Sequence, residues 1–143
     1  MKGLLTRENY ETSGMTKNRF VLDTNAVIYI TTKGNTISSG LQNDLNDAEL
    51  FISVITEIEL FAMTSIPLHE EEKLRSFISD MLSVIDLTSD VKHETIKIRR
   101  TTKLKLPDSI VAASAAVNNA VLLTADTQLL RLSWFGLQVQ NLM

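Results

Sequence analysis

A chain of 143 residues with 44% apolar and 22% charged side chains has the makeup of one soluble globular domain, long enough to bury roughly 70% of its unfolded surface. The absence of cysteine excludes disulfides, thiolate zinc sites and cysteine nucleophiles, and suits a reducing cytoplasmic setting. No apolar run approaches the ~20 residues that span a bilayer, so no membrane role is expected, and a net charge of −3 leaves any contact with nucleic acid to a local patch or to bound cations.

Residues 1–18 are polar and aperiodic and are expected to form an N-terminal extension, with residues 19–143 making a single domain. Phe20, Val21 and Leu22 read as a short buried parallel strand that ends in Asp23. A short apolar helix over residues 26–30 follows, broken at Lys33-Gly34-Asn35. Asp23 or Thr24 suits the cap of that helix, a role that needs no chemistry. Leu41, Leu45 and Ala48 share one helical face, and residues 50–54 read as the second strand. Thr56-Glu57-Ile58-Glu59 matches a capping box, which predicts a helix from Glu57 to the break at Pro67 and gives Glu59 a structural task at the cap. Leu74, Phe77, Ile78, Met81 and Leu82 fall at helical spacing, and Glu70, Glu71 and Glu72 form a solvated first turn.

Residues 83–87 read as a third strand, and Thr88 to Asp90 as the cap of a helix running to about Thr102 with Val91, Thr95 and Ile98 facing inward. Lys97, Arg99, Arg100, Lys103 and Lys105 crowd its end. They are either a solvated face complementing the helix C-terminus or a patch for phosphate. Pro107 opens the next helix, Asp108 sits in its first turn, and Ile110, Ala113, Ser114 and Val117 share a face. Residues 120–123 form a buried strand followed by Thr124-Ala125-Asp126 and an apolar turn over residues 129–132. Trp134 and Phe135 read as core or interface aromatics, and residues 137–142 as a last short strand.

Strand and helix alternate, which argues for a mostly parallel sheet with helices on both faces. Asp23, Glu59, Asp108 and Asp126 then share one description, each lying just past a strand or at the start of a helix. Those places border the crevice where ligands bind in open α/β sheets. Four acids gathered there repel one another and call for a compensating cation. Carboxylates without histidine or cysteine favour Mg²⁺ or Mn²⁺.

V-L-D-T-N at Val21 to Asn25, S-V-I-T-E-I-E-L at Ser53 to Leu60, L-P-D-S-I-V-A-A at Leu106 to Ala113 and L-L-T-A-D at Leu122 to Asp126 resemble the PIN domain, in particular the VapC-type toxins of type II toxin–antitoxin pairs. The resemblance runs from Arg19 to the C-terminus with the motifs in family order. It implies a three-layer α/β/α sandwich and a Mg²⁺- or Mn²⁺-dependent endoribonuclease that dimerises and is inhibited by a cognate antitoxin. It further implies that Asp23, Glu59, Asp108 and Asp126 are the catalytic, metal-binding quartet, with Asn25 and Thr124 as polar supports. Many of these toxins carry another acid three residues after the position of Asp126, where this chain has Leu129.

On this reading the cation activates water for in-line attack on an RNA phosphodiester. Arg99, Arg100, Lys103 and Lys105 would position the RNA backbone without reading sequence. His69 and His93 have no evident catalytic partner. An aspartyl-phosphate phosphatase would need a second acid two residues beyond Asp23, where Asn25 stands. A catalytically silent RNA- or protein-binding module of the same fold and a housekeeping RNA-processing nuclease are the remaining alternatives.

Overall fold

Phe20, Val21 and Leu22 are all buried, yet Phe20 and Leu22 enter one apolar cluster and Val21 another, as the period-two alternation of a strand requires. The computed structural model, which describes residues 18–132 and 137–143, arranges five such strands in one sheet. These are β1 (Arg19–Leu22), β2 (Glu49–Ser53), β3 (Leu82–Ile85), β4 (Val121–Thr124) and β5 (Val139–Asn141). Their order is β3-β2-β1-β4-β5, and every pairing is parallel. Seven α-helices lie among the described residues: α1 (Thr24–Lys33), α2 (Ser39–Asn46), α3 (Val54–Ala62), α4 (Leu68–Met81), α5 (Ser89–Thr101), α6 (Leu106–Val117) and α7 (Thr127–Leu130). None of them is long and apolar enough to cross a membrane.

Leu22, Ile52 and Leu123 meet Ala26, Val27, Leu60 and Leu74 on one face of the sheet. Val21 and Leu122 meet Val91, Ile98, Ala112 and Leu129 on the other. Helices therefore cover both faces, and the expected three-layer α/β/α sandwich is observed. Every residue of α6 from Ser109 to Ala115 is buried, because the helix is enclosed between the sheet and α5. Its small side chains permit that close approach. The Ser109 and Ser114 hydroxyls stay satisfied by donating to the Lys105 and Ile110 carbonyls at 2.9 and 2.8 Å.

The capping box is not formed. Ser53 is the cap of α3, its Oγ accepting the Ile55 N–H at 3.1 Å, so the helix begins at Val54 and Thr56 lies inside its first turn. Val54 and Ile55 continue the apolar run of β2, which hides the boundary. Glu59 is thereby released from the cap and sits in mid-helix. The first helix is longer than expected, reaching from Thr24 to Lys33, while the third strand starts at Leu82, a core residue, and stops before the exposed Leu87. Residues 1–17, Trp134 and Phe135 lie outside the described residues.

From β1 the chain proceeds outward to β2 and β3, then returns to lay β4 against the other side of β1. That reversal opens a crevice at the carboxyl ends of β1 and β4, the position where such sheets bind ligands.

Candidate functional site

Asp23 ends β1 at this crevice and is 7% exposed. Its Oδ1 accepts the Ala26 N–H at 2.8 Å, which caps α1, and its Oδ2 accepts the Thr124 hydroxyl. Thr124, fully buried at the end of β4, accepts the Asp126 N–H at 2.9 Å. Asp126 caps α7 by accepting the Gln128 N–H at 2.8 Å. The capping role foreseen for Asp23 is real, and it is also what orients the carboxylate. Asp108 lies half-buried in the first turn of α6, with no hydrogen bond to its carboxylate among the described residues. Glu59 comes from α3 and is exposed, and its Oε1 accepts the Thr24 hydroxyl at 2.6 Å.

These acids act on one another. Burial is the largest influence on Asp23 and pushes its carboxyl above the ordinary 3.8; the bonds from Thr124 and Ala26 pull it down, and the charges of Asp126 and Asp108 push it further up. Burial again leads for Asp108, followed by repulsion from Asp126 and Glu59, with Lys105 opposing. Asp23 thus feels the charges of Asp108 and Asp126, and Asp108 those of Asp126 and Glu59.

Among the described residues no three acidic or histidine side chains already converge as a ligand set. The donors nevertheless fit a hard divalent cation, since Mg²⁺ is commonly held by one or two carboxylates and several waters. Asp108 offers both oxygens, while Asp126 and Glu59 each keep one oxygen free of hydrogen bonds among the described residues. Asn25 is exposed on the first turn of α1, with no described hydrogen bond to its side chain.

The basic residues divide. Arg99 donates from Nη1 to the Leu104 carbonyl at 2.6 Å and so fastens the loop between α5 and α6. Lys97 pairs with Glu94 at 3.4 Å. Lys97 and Arg100 also line a cavity of about 700 Å³ whose other walls include Ala115, Ala116 and Asn119, at the opposite end of α6 from Asp108. Lys103 and Lys105 are exposed on the loop, and Lys105 is the cation felt by Asp108. His69 and His93 are exposed on α4 and α5. Leu129, in the place of the absent further acid, is 1% exposed and belongs to the core.

Sequence reasoning missed Thr24, which it read only as a cap. The signal was present in its place beside a strand-terminal acid, where a hydroxyl on the first turn of a helix faces the neighbouring helix.

Fold and site together define an α/β domain with an acidic crevice at the switch point of a parallel sheet. The chain belongs to the PIN domain family, which it matches over residues 20–134. Its structure is similar to VapBC2 from Rickettsia felis bound to a promoter DNA fragment, with a TM-score of 0.72 at 21% identity over 86% of this chain and 98% of that one. VapBC-1 from nontypeable Haemophilus influenzae gives 0.66 at 24% identity over 86% and 97%. A toxin–antitoxin complex from Klebsiella pneumoniae gives 0.59 at 26% identity over 76% and 87%. Comparison with curated proteins returned no match.

Proposed function

We propose that the chain is a Mg²⁺- or Mn²⁺-dependent endoribonuclease, the VapC-type toxin of a toxin–antitoxin pair, with residues 19–143 as its catalytic unit. The observation that carries this reading is the hydrogen-bonded arrangement at the crevice between β1 and β4, where the Thr124 hydroxyl links Asp23 to Asp126 and the Thr24 hydroxyl holds Glu59, with Asp108 in the first turn of α6 close enough for its charge to act on Asp23. Membership of the PIN domain family supports nuclease chemistry, and likeness to toxin–antitoxin complexes supports the toxin role. A homodimer, a cognate antitoxin and a cytoplasmic location complete the proposal.

Asp23, Glu59, Asp108 and Asp126 would hold the cation. When bound, it supplies a lowered pKa for water and neutralises charge on the scissile phosphate. Thr124 keeps Asp23 and Asp126 in fixed relation through its two hydrogen bonds, and Asn25 offers an uncommitted amide at the rim. Lys103 and Lys105 contact backbone phosphates, while Arg99 holds the loop that presents the two lysines and Arg100, expected to share their role, lines the cavity at the far end of α6 instead. Burial and mutual repulsion make Asp23 and Asp108 poor anions in the absence of a cation, and a cation reverses that preference.

The test is incubation of purified protein with pooled single-stranded and structured RNA in Mg²⁺, in Mn²⁺ and in chelator. Cleavage that requires metal is expected. Equal cleavage in chelator, or none with either cation, would overturn the proposal.

A further inference from the structure

The acids of the crevice differ in how they are oriented. Asp23 and Asp126 are short side chains fixed by backbone N–H groups, those of Ala26 and Gln128. Glu59 is longer, exposed and free of any backbone donor among the described residues. A flexible carboxylate loses rotamer freedom when it binds a cation, and a partner that orders it beforehand lowers that cost. Its described partner is the Thr24 hydroxyl, at 2.6 Å from Oε1. Thr24 is the residue after Asp23 and the first of α1, so the cap that fixes Asp23 fixes Thr24 as well. The β-branch of threonine limits χ1 to few rotamers, and the one present directs the hydroxyl at Glu59. The bond occupies Oε1 and leaves Oε2 open.

We propose that Thr24 is a positioning residue, holding the Glu59 carboxylate ready for a divalent cation bound at the crevice. The inference rests on the metal-dependent reading above. A rival account is that the bond merely ties α1 to α3, which pack together through the first cluster. The two differ in what removing the hydroxyl does to metal binding.

Mn²⁺ is titrated into the purified full chain, and free Mn²⁺ is read by electron paramagnetic resonance for wild type, Thr24→Val, Thr24→Ser and Ile78→Val. Ile78→Val is a mild core change on α4 that leaves the Thr24 bond intact. Metal-free melting curves establish that each variant is folded. Thr24→Val is expected to weaken Mn²⁺ binding about tenfold, or ~1.4 kcal/mol. Restoring the hydroxyl in Thr24→Ser brings affinity back to within about threefold of wild type, and Ile78→Val stays within about twofold. Wild-type affinity in Thr24→Val, or an equal loss in Ile78→Val, overturns the positioning role and leaves the metal reading standing. A wild type that binds no Mn²⁺ overturns both.

Discussion

Replacing Thr124 by valine removes one hydroxyl from a fully buried position where no water can take its place. Two bonds are lost, the donation to the Asp23 carboxylate and the acceptance of the Asp126 N–H. A hydrogen bond to a charged group contributes about 1.5–3 kcal/mol, and the part-buried N–H left behind costs about 1 kcal/mol more. The methyl that replaces the hydroxyl returns about 0.8 kcal/mol of apolar burial, for a net loss of about 2.5 kcal/mol. With ~2.1 cal/mol/K of unfolding entropy per residue over 143 residues, the melting temperature falls by about 8 °C. Thr124→Ser keeps both bonds and loses only a methyl, so it falls by about 3 °C. Circular dichroism melts of the metal-free proteins at pH 7 provide the comparison. A serine variant that melts below the valine variant would refute the reasoning, because packing would then outweigh the hydrogen bonds.

The raised pKa values of Asp23 and Asp108 mean that the folded protein holds these protons more tightly than the unfolded chain. Their contribution to stability is fullest below the ordinary value of 3.8 and is lost as the pH rises through the raised values. Asp108→Asn should therefore raise the metal-free melting temperature at pH 7, with a gain that shrinks toward low pH; an unchanged or lowered value at pH 7 would contradict this. Mn²⁺ at a hundred times its dissociation constant should add ~2.7 kcal/mol to the wild type and leave Asp108→Asn nearly unmoved in the same melts. Leu129→Asp places a carboxylate in the second cluster and should cost more than about 4 kcal/mol in urea unfolding, and a midpoint close to wild type would show that Leu129 is not core. Lys105→Ala should reduce the salt dependence of RNA binding by about one unit of slope while Lys97→Ala leaves it unchanged, and the reverse pattern in filter binding would move the RNA path to the other end of α6.

The alternation of Phe20, Val21 and Leu22 and the inward face of Val91, Thr95 and Ile98 were legible because burial imposes a period on sequence. The start of α3 was not, since Val54 and Ile55 look like strand residues until Ser53 is seen to cap them. The grouping of Asp23, Asp108 and Asp126 followed from their shared place after strands and at helix starts. Their interaction is a product of topology, because the sheet order lays β4 against β1 across a hundred residues of chain. The basic cluster was legible as composition only. Whether an arginine faces solvent or a carbonyl depends on the turn of the loop, and Arg99 turns to Leu104. Thr24 escaped notice because its partner, Glu59, is 35 residues away.

RNA cleavage at the acidic crevice is tested by the cleavage rate of wild type against Asp108→Asn on one RNA in saturating Mn²⁺. The substitution changes side-chain volume little and removes a carboxylate that no described hydrogen bond requires. Cutting by wild type and a loss of at least about a hundredfold in the variant are expected. Equal rates would contradict cleavage at the crevice, and so would a wild type silent on every RNA, in which case the domain would be a binding module that keeps the PIN fold without its chemistry.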